Sequence, residues 1–177
     1  VSSRRQRQMC IRDRPYVDQM FYLLGKTYDK LQTFVPIQDY QIDYYKNRFL
    51  KYINPGFIKC VTDDNDELVA FAITMPSFSN ALKKINGKVD FFGKLRLLHA
   101  KNFNHKGSLY LIGVRPDFQN KGVIAILFNE LQKFYNKFGI TEVETNPELI
   151  ENTAIQQLWK NYENNQHKNR ATFTKQI

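Results

Sequence analysis

The chain has 177 residues, 42% of them hydrophobic, with 14 Phe, 10 Tyr and a formal net charge of +9. That length suits one domain with a real core, the apolar content excludes a disordered chain, and no run approaches the roughly 18 consecutive apolar residues of a membrane helix. The charge does not select a nucleic-acid binder. Residues 1–14 hold +4 of it, with five Arg against one Asp, and the other Lys and Arg are scattered without interleaved aromatic residues.

The stretch VSSRRQRQMCIRDR is Arg-rich and acid-poor, as transit peptides are, but carries no helical apolar stripe. It resembles translated sequencing-adapter read-through at the ends of metagenomic reading frames. Residues 1–14 are therefore set aside as non-native, residues 15–177 are taken as the domain, and its opening strand is expected to be missing. Only Cys10 and Cys60 occur, which is too few for a disulfide framework, so a reducing cytoplasm is the expected location. Cys60, in FIKCV, reads as a small buried strand residue. His99, His105 and His167 show no metal-ligand spacing, and no metal is expected.

From Tyr16 to Phe34, Val17, Met20, Phe21, Leu24, Tyr28 and Leu31 recur at helical spacing. A second helix follows Pro36, with Ile42, Tyr45, Phe49 and Leu50 on its buried side. The period then changes to that of strands: FIKCV (57–61) and ELVAFAITM (67–75), joined by TDDND, predict a hairpin that Pro76 closes. Residues 77–106 predict two short helices broken at Gly87, the second with a basic face opposite an apolar one; a helix packed on the sheet surface is the simpler reading, a cover over a substrate cleft the alternative. LYLIGV (109–114) is apolar on both faces and is expected in the middle of a sheet covered on both sides. A helix over 122–138 presents Val123, Leu127, Leu131, Phe134 and Phe138 inward and stops at Gly139. TEVET (141–145) is a strand, 152–164 a helix with Ile155, Leu158, Trp159 and Tyr162, and RATFTKQI a closing strand. The order predicts an α/β (α+β) sandwich around a mixed sheet.

Between the strand at 109–114 and the long helix lies RPDFQNKG. Pro116 ends the strand, Asp117 and Asn120 favour a turn, and Gly122 removes a Cβ that would block approach to the backbone. The helix leaves about four amides without intrahelical partners and points its positive dipole end at the turn, which suits an anion, phosphate above all. Neither a P-loop nor a Rossmann pattern is present.

Val114-Arg115-Pro116-Asp117-Phe118-Gln119-Asn120-Lys121-Gly122-Val123-Ile124 resembles the acyl-CoA signature V-x-P-x-[YF]-[QR]-x-x-G-x-[GA] of the GNAT superfamily of N-acyltransferases, matching five of its six specified positions. Ile124 departs from it, with Ala125 one place later. Asn152-Thr153-Ala154-Ile155-Gln156-Gln157-Leu158-Trp159 resembles the family's N-x-x-A-x-x-L-Y helix, with Asn152 and Leu158 matching and Trp159 in the Tyr position. The resemblance runs over about 16–177 and looks closest to the C-terminal half of longer bacterial GNAT-like proteins, through INPGF, ITMPS and ETNPELIEN.

The resemblance implies a GNAT-like sheet with a splay between two central strands, helices on both faces, and acyl-CoA, acetyl-CoA first, as cosubstrate. The backbone of Ile112, Gly113 and Val114 would orient its pantetheine arm. The amides of Gln119, Asn120, Lys121, Gly122, Val123, Ile124 and Ala125 would hold its diphosphate, and Asn152 would contact it. The acceptor would be a primary amine on a small molecule or peptide, with Glu144 or Glu148 as base. Trp159 lacks the acidity of a phenol, so Tyr162 is the candidate acid. No nucleic-acid or membrane partner is expected. Two rivals stay open: a GNAT-like module that binds CoA without catalysis, and a basic nucleic-acid binder.

Overall fold

A computed structural model describes residues 6–8, 14–29, 35–48, 53–150, 152–171, 173 and 175. Leu31, Phe34, Phe49 and Leu50, assigned above to helix faces, lie outside them, as do Cys10 and part of the predicted closing strand. The chain divides into two compact units, Val1–Glu144 and Thr145–Ile177.

In the first unit the hairpin forms as the sequence predicts. β2 (Ile58–Thr62) and β3 (Leu68–Pro76) pair antiparallel, Cys60 opposite Phe71, and β4 (Lys106–Val114) pairs antiparallel with β3 on its other side. A three-residue strand, β1 (Gln6–Gln8), from the segment set aside above, lies along the outer edge of β2, and β5 (Glu142–Thr145) completes the order β1-β2-β3-β4-β5.

Both faces of the sheet are covered, which is why β2 is buried at every position and β3 at nearly every one. Ile58, Cys60, Phe71 and Ile73 point to one side, where α1 (Arg14–Tyr28) lays down Val17, Met20, Leu23 and Leu24. Val61, Ala70 and Val114 point to the other, against Val123 and Leu127 of α5 (Val123–Phe138). Lys59 shares that side: its ammonium sits 4.7 Å from the Phe134 ring, and burial holds its pKa below the ordinary value. Cys60 is the buried strand residue expected, with its thiol pushed up to about 12 by burial. α5 ends where Gly139 takes φ +68°.

Several boundaries differ from the expectation. α2 (Asp39–Arg48) buries no residue; Tyr45 is exposed and stacks 6.4 Å from Phe21 of α1. The insert does form two helices, α3 (Ser79–Ile85) and α4 (Phe91–Asn102), separated by left-handed Asn86 and Gly87. Phe91, Phe92, Leu95 and Leu98 of α4, however, face solvent, and only Gly93 is buried. In β4, Tyr110 is exposed and Leu111 and Ile112 are half-buried. In the second unit, α6 (Thr153–Trp159) stops short of 164, and Arg170, Ala171, Phe173 and Lys175 are not in a strand.

Gly113 has a packing reason. A Cβ there would stand 2.6 Å from Cε1 of Phe71, a ring held by the α1 side of the core. Gly113→Ala is expected to cost about 1–3 kcal/mol through overpacking, read as a lower urea midpoint with unchanged slope.

Candidate functional site

Alternate residues of β4 turn their backbone groups to opposite neighbours. Arg115 N–H donates to Val69 O at 2.8 Å and Gly113 stands opposite Phe71, so Ile112 and Val114 turn their N–H and C=O away from β3. Side chains reach these outward carbonyls. The Tyr28 hydroxyl donates to Ile112 O at 3.0 Å, while the Thr27 hydroxyl and the Gln119 side-chain amide each donate to Val114 O at 3.4 Å.

β4 and β5 begin together. The amides of Thr141 and Glu142 both donate to His105 O, at 2.9 and 3.2 Å, and Lys106 pairs with Glu142, so the two strands run parallel. With four residues against nine, at about 3.3 Å per residue, β5 stops near the middle of β4. The edge at Ile112 to Val114 therefore lies past its end.

After β4, Pro116–Phe118 makes one 3₁₀ turn, and Asn120 (φ +59°) and Gly122 (φ +73°) both adopt the left-handed conformation. These are two of the residue types that accept it most readily. Ile126 N–H makes the first bond of α5, to Gly122 O at 3.3 Å, and no side chain caps the helix. The amides of Val123, Ile124 and Ala125 thus stand ahead of the ladder, at the positive end of a 16-residue helix. A Cβ on Gly122 would meet nothing within 4 Å. Gln119, Asn120 and Lys121 are exposed around this turn.

Arg115 braces the turn from below. Its Nε donates to Asp117 at 2.9 Å, its two terminal nitrogens to Glu67 at 3.2 Å and Asp63 at 3.3 Å, and its guanidinium lies 4.5 Å from the Phe118 ring. The other oxygen of Asp63 accepts the amides of Asn65 and Glu67, which closes the β2–β3 turn. One guanidinium thereby ties the hairpin tip to the turn before α5.

Of the proposed catalytic carboxylates, Glu144 is half-buried at the end of the first unit. Glu148 belongs to the second unit, where the Trp159 indole N–H donates to its Oε1 at 2.8 Å. The Tyr162 ring meets Trp159 edge-on at 6.3 Å. Asn152 immediately precedes α6 but its side chain does not cap it. Among the described residues no group of His, Cys, Asp and Glu is arranged to hold a metal ion.

A profile of the Acetyltransferase (GNAT) family matches residues 19–162. The chain belongs to that family. No curated protein sequence matches it. Among solved structures it is similar to the aminoglycoside N-acetyltransferase AAC(6')-Iy in complex with CoA, at 15% identity and TM-score 0.60, over 100% of this chain and 97% of that one. The ribosomal-protein-alanine N-acetyltransferase of Brucella melitensis biovar Abortus 2308 is similar at 14% identity and TM-score 0.58, over 97% and 99% of the two chains. Aminoglycoside 6'-N-acetyltransferase AAC(6')-Ih of Acinetobacter baumannii gives 11% identity and TM-score 0.58, over 99% of each. At such identities the likeness is one of fold. The cosubstrate of the GNAT family is acetyl-CoA.

In this GNAT domain the motif residues from Ile112 to Ala125 come together on one strand-turn-helix unit. Two features escaped the sequence reading: the hydroxyls of Thr27 and Tyr28 on the β4 carbonyls, and the Arg115 brace. The brace had a local signal, an Arg beside the turn proline, but its partners Asp63 and Glu67 are some fifty residues away. Arg115→Met is expected to cost about 1–2 kcal/mol, since hydrogen bonds to charged groups are strong but this cluster is partly solvated. A double-mutant cycle in urea should show coupling to Asp63→Asn and little to Asp117→Asn.

Proposed function

We propose that the chain transfers an acetyl group from acetyl-CoA to a primary amine. The observation that carries this reading is the uncapped start of α5 behind a left-handed Gly122, open on its outer side. Neutral amides at a helix N-terminus suit a diphosphate without a metal. Bound, acetyl-CoA supplies an acyl group already activated as a thioester.

In this reading the amides from Gln119 to Ala125 hold the diphosphate, with Lys121 adding charge at the rim. The outward groups of Ile112 and Val114 orient the arm that follows. Thr27 and Tyr28, which already donate to those carbonyls, set the position of that edge. Asn152, with its side chain not spent on its own helix, is a further contact. Glu144 or Glu148 takes the proton from the incoming ammonium, so that a neutral amine is the nucleophile. Two of the solved neighbours are named as N-acetyltransferases of an aminoglycoside and of a ribosomal-protein alanine, which supports an amine acceptor of small-molecule or peptide type.

A second reading, a GNAT domain that binds CoA without catalysis, is favoured by one feature. Trp159 stands where the family places Tyr, and its indole occupies an oxygen of Glu148. Release of CoA thiol across a panel of amines separates the two readings.

Calorimetry of the full chain should detect acetyl-CoA binding, and no binding at millimolar ligand ends both readings. Gly122→Asn keeps a residue that tolerates the left-handed backbone but puts a side chain in front of the amides. It should lower acetyl-CoA affinity at least tenfold with a nearly unchanged thermal midpoint. Gly122→Val adds backbone strain and should lower both. For the acyl-transfer step, Glu144→Gln or Glu148→Gln, whichever is the base, should lower kcat about 100-fold or more while acetyl-CoA affinity stays the same.

A further inference from the structure

The insert between β3 and β4 presents an exposed apolar surface. Ser77 N–H donates to Lys106 O at 2.8 Å, so α3 and α4 leave and rejoin the sheet at a single point, the start of β4. The turn before α5 lies at the other end of that strand, about 30 Å away by strand length.

α4 is held by its small-residue side. Asp90 accepts the Gly93 amide at 2.7 Å, and a Cβ on Gly93 would stand 2.9 Å from Lys88 O, so the helix start is clamped onto the end of α3. Ala100 and Leu97, on the same side, are half-buried. The opposite side carries Phe91, Leu95 and Leu98, exposed by 70, 48 and 56%, at the i, i+4, i+7 positions of one line, with Phe92 beside them at 68%. Such a contiguous exposed apolar face marks a surface that meets a partner.

Charge identifies the partner. Residues 77–106 hold seven Lys and Arg against one acid, Asp90, and Asp90 is spent on the helix cap. At 100° per residue, Lys94 and Lys101 flank the apolar line on one side and Arg96 on the other. Among the described residues none of these three is ion-paired. Two copies meeting through this face would oppose like charges. The face is also a convex helix with long cationic stems on both flanks, which a protein groove does not require. A planar apolar layer with anionic headgroups satisfies the apolar line and both flanks together.

We infer that α4 docks the protein onto an anionic lipid surface, lying in the headgroup layer with Phe91, Phe92, Leu95 and Leu98 inserted and Lys94, Arg96 and Lys101 on lipid phosphates. This departs from the sequence expectation of no membrane partner, which rested on the absence of a spanning run. Among the described residues no helix is long and apolar enough to cross a membrane, and docking of this kind needs none. The inference does not rest on acetyl transfer.

The test is sedimentation of the full chain with vesicles of phosphatidylcholine alone, and of equal parts phosphatidylcholine and phosphatidylglycerol, at two salt concentrations. Binding is expected to the anionic vesicles only, and to weaken with salt. Phe91→Ser combined with Leu95→Ser should lower partitioning at least roughly tenfold. Lys94→Gln combined with Lys101→Gln should lower it roughly 30-fold. Both pairs change exposed side chains and should leave circular dichroism and acetyl-CoA affinity unchanged. Failure of the wild-type chain to bind anionic vesicles at low salt overturns the inference, as does wild-type binding by both variants. A concentration-dependent dimer abolished by the Phe91/Leu95 pair, without vesicle binding, would assign the face to a second copy and overturn it too.

Discussion

Three backbone amides at the start of α5 have no acceptor within their own helix, and its N-cap, Gly122, has no side chain to supply one. An unpaired donor of this kind is tolerable at the surface, where water can serve it, and becomes useful where an anion can take water's place. The rest of the first unit fixes where those amides stand. β4 is locked between β3 and the hydroxyls of α1. α5 is pinned to the opposite face of the sheet through Val123 and Leu127, and the turn between them carries its left-handed bends at an Asn and a Gly.

Arg115 explains how so short a turn keeps its shape while exposed. Three carboxylates converge on one guanidinium, and an aromatic ring covers it. The cluster holds three carboxylates against one guanidinium, so the brace does not itself attract an anion; it ties the β2–β3 hairpin to the helix entrance. The second unit holds a smaller arrangement of its own, in which Trp159 contacts both Glu148 and Tyr162. The Trp159 indole N–H is a donor only and there gives a hydrogen bond to a carboxylate.

Much of this was legible in the residues. The hairpin, β4, the long helix and its Gly stop follow from period and punctuation, because each is decided by neighbours a few positions apart. The split of the insert at Asn86 and Gly87 was legible for the same reason. What failed was decided at a distance. Leu95 and Leu98 have the spacing of a buried face, yet α4 packs through Gly93, Leu97 and Ala100, with Gly93 close against Ile85 and Lys88, so the apolar line turned outward. Ile42 and Tyr45 suggested a buried stripe on α2, but a helix with so polar a remainder buries none of its residues. Gly113 was assigned to a ligand, and the structure adds a plainer requirement, room for the ring of Phe71. Periodicity says which residues share a side, and not which side the rest of the chain will cover.

The closure of the insert at Ser77, whose amide donates to Lys106 O and whose carbonyl accepts the Asn104 side-chain amide, has an evolutionary consequence. Because both ends of the excursion meet at the same rung, its length and content can drift, be trimmed to a tight turn or be exchanged for another cassette without disturbing a single strand register. The surface that the insert presents can therefore be rewritten independently of the strand-turn-helix unit at the other end of β4.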